Sequence, residues 1–332
     1  GDINLDGQVE STSLPAFTAG KLTAGPAGKV AVHHVGSDLN LTDTVTGTTG
    51  VSLTGKTINQ TTPDSYIITG SLSATAVDGL NLDHDNNQIL QAQLHNTNSG
   101  DIVFETLTAL ILNGISNAAT DGKVTIDSPL SIVSLQNITS VGEIIINAGT
   151  SFNAAATISS NEDLNITSNN GLLIANDLVG NNITLTSSDL LTFNKANADN
   201  DLTVLANGLI THLSTIIAGN DVTINTTIGD IIMNTLTIDG NLKVGAPGQI
   251  AFNNASADGY VEVSGSSITA GNMHSGNYMD LEASNGPITA ATLSADQDMN
   301  LNSATQNVAV ADAQGNNINI IANNEIGRAS CR

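Results

Sequence analysis

The sequence predicts an all-β fold, a three-sided parallel β-solenoid with about nineteen to twenty residues in each coil. Three observations carry that prediction. An alternating x-Φ-x-Φ doublet, Φ being aliphatic, recurs eleven times between Val124 and Ile318, and no step departs from nineteen by more than one. A fixed period in this range marks an array in which each repeat is one coil. Two positions before nine of the eleven doublets stands Gly or Asn. Finally, no segment shows the i, i+3, i+4, i+7 spacing of an amphipathic helix.

The first strand of each coil is anchored by Val124, Ile144, Leu164, Ile183, Leu202, Val222, Leu242, Val261, Met279, Met299 and Ile318, each with an apolar partner two positions on. Period-two alternation over four or five residues is a short strand with one face buried. A second track follows seven to nine positions later, at Ile132, Phe152, Leu172, Leu191, Leu209, Ile231, Ile250, Ile268, Ile288 and Val308. Leu172/Ile174, Leu191/Phe193 and Ile250/Phe252 repeat the alternation there. The third track lies twelve to fifteen positions after the anchor: Ile138, Ile158, Leu178, Ala198, Ile216, Leu236, Ala255, Met273, Leu293 and Ala313. Gly122, Gly142, Asn181, Asn200, Gly240 and Gly259 are expected to turn the corner before the anchor with positive φ, which Gly and Asn adopt most cheaply. Leucine-rich repeats share the period, but their fixed Leu framework with an Asn/Cys signature is absent. Proline is rare, as a laddered core requires.

Residues 1–100 read as less regular coils with loop insertions, notably around 54–65 and 83–91, and residues 101–324 as the regular β-helix. Before Val124 the doublets Ile3/Leu5, Val30/Val32, Leu39/Leu41, Val51/Leu53, Leu80/Leu82 and Ile102/Phe104 are unevenly spaced, with a long step from Ile3 to Val30 and a short one from Val30 to Leu39. The last eight residues, 325–332, hold the only Cys and both Arg of the chain. Back-translated as GAG ATC GGA AGA GCG TCG TGT AGG, they look like a short-read sequencing adaptor in frame, so this tail is expected to be non-native.

Asp and Glu number 31 against eight Lys and Arg, a formal net charge of −23 with pI near 4.1. Nucleic-acid binding needs a basic footprint and is excluded on that ground. Docking on anionic membranes is disfavoured by the same balance. With no apolar run near the ~18 residues a helix needs to span a bilayer, membrane insertion is not expected. Charged residues make up only 12%, and Asn, Thr, Ser and Gly fill the polar positions. A repeat already under way at Gly1, without an initiating Met, reads as an internal piece of a longer protein.

Segments such as Gly180-Asn181-Asn182-Ile183-Thr184-Leu185-Thr186 and Ala218-Gly219-Asn220-Asp221-Val222-Thr223-Ile224-Asn225 resemble the repeats of filamentous haemagglutinin-type exoproteins. Gly229-Asp230-Ile231-Ile232 and Gly100-Asp101-Ile102-Val103 echo the strand starts of that family. The resemblance covers about residues 100–324 closely and 1–99 loosely. It implies a right-handed parallel β-helix in a large secreted or surface-anchored bacterial protein, exported by a two-partner or autotransporter-like route. An outer-membrane transporter would be its partner during export. Host-cell or matrix glycans and proteins would be engaged mainly by regions outside this sequence.

Few residues suggest chemistry. Asp2, Asn4 and Asp6, ahead of Gly7, match the start of a calcium loop, in which oxygen ligands at positions 1, 3 and 5 precede a turn glycine. Ser13 replaces the acid at the twelfth position, and Ile3/Leu5 alternate as a solenoid strand would; calcium is the only cofactor these residues suggest. His33-His34 and Asp83-His84-Asp85 lack the spaced partners of a zinc site, and His212 and His274 have no positioned nucleophile near them in sequence. Sequons such as Asn137-Ile138-Thr139, Asn165-Ile166-Thr167, Asn182-Ile183-Thr184 and Asn225-Thr226-Thr227 follow from Asn/Thr-rich composition. Some members of the resembled family are glycosylated at such sites. Three functions therefore compete: a structural shaft of an adhesin, a glycan- or cell-binding face on the solenoid, and a polysaccharide-degrading β-helix enzyme. The first needs only regular rungs and a polar coat. For a glycan site the aromatic residues are few, with no Trp and only Tyr66, Tyr260 and Tyr278. A lyase or hydrolase needs a cationic group or a close carboxylate pair, which six scattered Lys and turn-bound Asp do not supply, so no catalytic residue is assigned.

Overall fold

The computed structural model describes residues 3–6, 16–34, 36–324 and 330–331. Among them every element is a strand and every strand pairing is parallel. Contacts group the chain into two compact units, Gly1–Asn170 and Gly171–Arg332. Each unit is a β-solenoid, and each contributes eight strands to the sheet that carries the anchors.

In the first unit the anchor strands Val124–Ser128, Ile144–Ala148 and Leu164–Ser168 pair residue for residue, Val124 opposite Ile144 and Ile144 opposite Leu164. The second unit repeats the pattern through Ile183–Ser187, Leu202–Ala206, Val222–Thr226 and Leu242–Gly245. From Val124 to Leu301 the anchors and their partners two positions on are buried almost completely, as at Ile144, Ile146, Leu202 and Val204, while Ile318 and Ile320 are half-buried. Aliphatic columns thus run along the inside of each solenoid, and burial of this kind is the main stabilising term. Large side chains stand opposite smaller ones on the second face: Phe193 faces Ala175, and Phe252 lies between Met233 and Ala270.

The second and third tracks of the second unit share one long strand per coil, bent in the middle. Ile231–Ile238 is typical: Ile231, Met233, Leu236 and Ile238 are buried, while Asn234 and Thr235 both point outward. Two outward residues in succession break the alternation and turn the corner. In two coils of the first unit the same two faces are separate strands, Ile132–Ser134 and Ile138–Ser140, then Phe152–Ala154 and Ile158–Ser160.

Four positions differ from the sequence reading. Leu173 and Ile210, not Leu172 and Leu209, occupy the second inward column, since Leu191 stands opposite both. Leu209 is 38% exposed, and in the next pair Ala175, not Ile174, points inward. In the third column Ala196, rather than Ala198, stands opposite Leu178 and Ile216. Each error is a slip within adjacent or alternating apolar residues, which a local pattern cannot resolve because register is set by the neighbouring coil.

The corner before the anchor also differs. Gly122, Gly142, Gly240 and Gly259 are not among the positive-φ glycines, which are Gly36, Gly79, Gly100, Gly114 and Gly229. This bend is instead a ladder: Gly142 N–H donates to the Gly122 carbonyl at 3.1 Å, Asn220 to Asn200 at 3.0 Å, and Gly259 to Gly240 at 2.8 Å. Coils approach so closely here that a Cβ on Gly142 would lie 2.7 Å from the Gly122 carbonyl oxygen. The left-handed conformation appears instead at His212 (φ 55°), inside a bulge where pairing shifts between Ile210 and Leu213.

The uneven doublets before residue 124 have a simple origin. Leu39, Leu80 and Ile102 lie on the anchor face, whereas Ile3, Val30 and Val51 stand opposite one another on another face. A third side is built by Leu22–Thr23, Val45–Gly47, Ile67–Thr69 and Gln88–Ile89. Strands Ile58–Gln60 and Gln88–Ile89 therefore run within the segments 54–65 and 83–91.

Polar groups inside are sealed at the corners. Ser140 Oγ donates to the Gly122 carbonyl (2.7 Å), Ser160 to Gly142 (2.8 Å), Ser187 to Gly171 (2.8 Å) and Ser275 to Gly259 (2.9 Å). Buried Asn96 and Asn117 are joined at 3.0 Å, and each also donates to the Gly100 carbonyl. Among the described residues no buried side-chain nitrogen or oxygen lacks a partner, so the desolvation cost of these groups is met.

The register assignment is testable by urea denaturation. Leu173→Asp buries a charge and is expected to destabilise by about 4 kcal/mol or more. Leu172→Asp, at an outward position, should stay within about 0.5 kcal/mol; the reverse ranking would restore the register read from sequence.

Candidate functional site

The position just before each anchor has a repeated task. From Asn182 to Asn241 its side chain accepts the backbone N–H of the equivalent residue one coil on. Asp201 Oδ1 takes Asp221 N–H (3.0 Å), Asp221 Oδ1 takes Asn241 N–H (2.8 Å), and Asn241 Oδ1 takes Tyr260 N–H (3.0 Å). At Tyr260 the ladder changes chemistry. A phenol ring cannot reach back to the next amide, and the following coil supplies another tyrosine. The rings of Tyr260 and Tyr278 stack with centroids 5.1 Å apart and planes within 10°, close to the ~4.8 Å spacing of paired strands. Such stacking contributes about 0.5–1.5 kcal/mol beyond burial.

Beside the stack, on the outer face of Leu242–Gly245, Val261–Gly265 and Met279–Ala283, lies a shallow groove of about 310 Å³. Its lining includes Asn225, Lys243, Gly245, Glu262, Ser264, Asp280 and Glu282. Outward positions alternate along each strand, so Lys243, Glu262 and Asp280 form one row across three coils. Gly245, Ser264 and Glu282 form the next. Gly245 opens the groove: a Cβ there would lie 2.6 Å from Asn225 Oδ1.

Lys243 Nζ pairs with Glu262 Oε2 at 3.3 Å, and the Tyr278 hydroxyl donates to Glu262 Oε1 at 2.7 Å. The Tyr278 hydroxyl, and behind it Lys243, holds Glu262 below the usual carboxylate value against its partial burial. In return the Glu262 hydrogen bond, aided by burial, pushes the Tyr278 phenol from 10.0 up to about 12. Asp280 is pushed above its usual value, first by burial and then by Glu282 and Glu262. Neither the Asp280 nor the Glu282 carboxylate makes a hydrogen bond or ion pair with the described residues. The groove therefore has three carboxylates and one cation, and that cation is already engaged.

Sequence reasoning singles out other residues. Asp2 and Gly7 of the calcium-like segment lie outside the described residues. Asn4 sits in the strand Ile3–Asp6, exposed and opposite Ala31. His34 is buried, with Nε2 on Ser37 Oγ and its ring 5.2 Å from that of Phe17. His84 Nε2 meets the Pro63 carbonyl at 2.7 Å and Nδ1 lies 3.3 Å from Asp85, beside the Tyr66 ring at 5.8 Å. Glu105 stands opposite Asp127, and burial and then Asp127, Asp85 and Asp83 push its pKa up. Among the described residues no group of three or more His, Cys, Asp or Glu is arranged to hold a metal ion. His212 approaches only Thr211 Oγ1 (3.1 Å), and His274 approaches Ser294 Oγ (3.4 Å). Sequon amides serve the ladders: Asn165 Nδ2 donates to Glu143 (3.0 Å), and Asn182 Oδ1 accepts from Asn200 (2.7 Å).

Fold and face together define the class, a parallel β-solenoid compatible with a β-helix repeat region. Compared with known proteins, the chain matches no protein-family model, no curated protein and no solved structure.

Two measurements check the electrostatics. In a Tyr66→Phe/Tyr260→Phe background, phenolate absorbance of Tyr278 is expected near pH 12, returning toward 10 in Glu262→Ala; a transition near 10 in both proteins would remove the hydrogen bond. Asp280 in the fold favours its protonated form, a contribution complete below 3.8 and lost as pH rises through the raised value. Asp280→Asn should therefore raise the melting temperature at pH 7, with the gain closing as pH falls below 4.

Proposed function

We propose that this chain is a shaft segment of a large exported bacterial surface protein, of the filamentous haemagglutinin kind. The observation that carries this reading is the residue-for-residue stacking of the anchors, as in Val222 opposite Leu242 and Leu242 opposite Val261. Such stacking asks of each coil only a dry interior and a polar coat. A net charge of −23 on an Asn-, Thr- and Ser-rich surface supports it by keeping an exported protein soluble. In this role the chain carries binding regions located elsewhere in the protein and leaves the cell through an outer-membrane transporter. Catalysis forms no part of the proposal, because solenoid architecture alone does not confer activity. Antibodies against residues 171–324 should label intact cells of the source bacterium without permeabilisation. Staining confined to permeabilised cells would overturn the assignment.

A second reading is favoured by one specific feature, the tyrosine stack beside the groove over Gly245. Saccharide sites combine aromatic surface with a few placed polar groups, and this is where the described residues bring both together. The outer face of residues 242–283 then serves as a glycan-binding face on the shaft.

A further inference from the structure

We propose that the groove over Gly245 takes a hexosamine unit with a free amino group, within a polysaccharide strand; this rests on the reading of that face as saccharide-binding. Four features converge. At about 310 Å³ the cavity lies at the small end of ligand sites, the scale of one or two sugar rings. Gly245 lines it without a side chain, between Asn225 and Ser264, and the Asn225 Oδ1 stands 2.6 Å from where a Cβ would be. Amide and hydroxyl groups there match sugar hydroxyls. The lining holds no exposed large aliphatic residue, so it lacks the apolar anchor on which protein partners depend.

Charge decides the kind of sugar. Glu262 is satisfied by Lys243 and Tyr278, while Asp280 and Glu282 are left without a counter-charge. These two stand two residues apart on one strand, a separation of ~7 Å, and Glu262 lies one coil, ~4.8 Å, from Asp280. Among the described residues no three such groups are arranged to hold a metal ion, and the spread suits an ammonium group that bonds one carboxylate while lying in the field of another. Uronic acids and sulfated sugars are repelled by the same groups. An N-acetylated sugar presents no charge to them.

The test is calorimetric titration of the full chain with hexamers of glucosamine, N-acetylglucosamine and galacturonic acid, and with hexalysine. A charge-assisted hydrogen bond of about 1.5–3 kcal/mol corresponds to about tenfold or more in affinity. The glucosamine hexamer should therefore bind at least about tenfold more tightly than the acetylated one, and the galacturonate should not bind. Asp280→Asn/Glu282→Gln should lose that advantage, and Gly245→Gln, which fills the groove, should abolish binding in a protein shown to be folded by circular dichroism. Asp83→Asn/Asp85→Asn removes the same two charges from the first unit and should change nothing. If this control pair weakens binding equally, the attraction is diffuse charge and the proposal fails. Equal binding of both hexosamine hexamers, lost in Gly245→Gln, would overturn the amino assignment and keep the glycan face. Binding of hexalysine alone, or of no hexamer, would overturn both.

Discussion

One constraint governs this molecule: each residue of a coil sits against its own counterpart in the next. Parallel pairing stacks equivalent positions of successive coils, inside and out. Inside, this yields columns such as Ile144 on Leu164 and Val222 on Leu242. Outside, it stacks Asn272 on Asn254 with an amide hydrogen bond of 3.0 Å and brings Tyr260 onto Tyr278. It also forces carboxylates into rows, as at Asp280, whose proton is held more tightly first by burial and then by the nearby Glu282 and Glu262. Among the described residues, lysines relieve such rows by pairing one coil away, as Lys56 does with Asp78, Lys123 with Glu143 and Lys243 with Glu262.

Legibility in the sequence follows the same constraint. The anchor column is readable because Ile, Val, Leu and Met there alternate cleanly with polar residues at a steady period. The second column is ambiguous wherever two apolar residues adjoin, as at Leu172-Leu173 and Leu209-Ile210, since only the neighbouring coil chooses between them. Before residue 124 two interleaved columns look like one, because a doublet says that a strand has an inside but not which side of the coil it forms. The corner glycines stand where the repeat puts them, but for a different reason: close approach of successive coils, not left-handed φ, excludes a side chain at Gly142.

The groove is legible only in hindsight. Tyr260 and Tyr278 each directly precede an anchor, Val261 and Met279, and so have to stack once the coils are in register. Glu262, Asp280, Gly245 and Ser264 follow from the same alignment of repeats. What the linear sequence does not convey is that Lys243 and Tyr278 both turn toward Glu262, leaving the other two carboxylates unanswered. That choice is made by side-chain reach across coils rather than by spacing.

The bulge at His212 shows how a rigid array absorbs unequal repeats. An extra residue there is thrown outward, and the strand regains its partners by Leu213 opposite Met233. Irregularity is thus confined to the corner that receives it and is not passed along the axis. Insertions in such a chain can accumulate as surface decoration while the interior stays unchanged, so coils of slightly different length coexist in one lineage of repeats. New loops, and with them new surfaces, can be acquired without refolding what lies beneath.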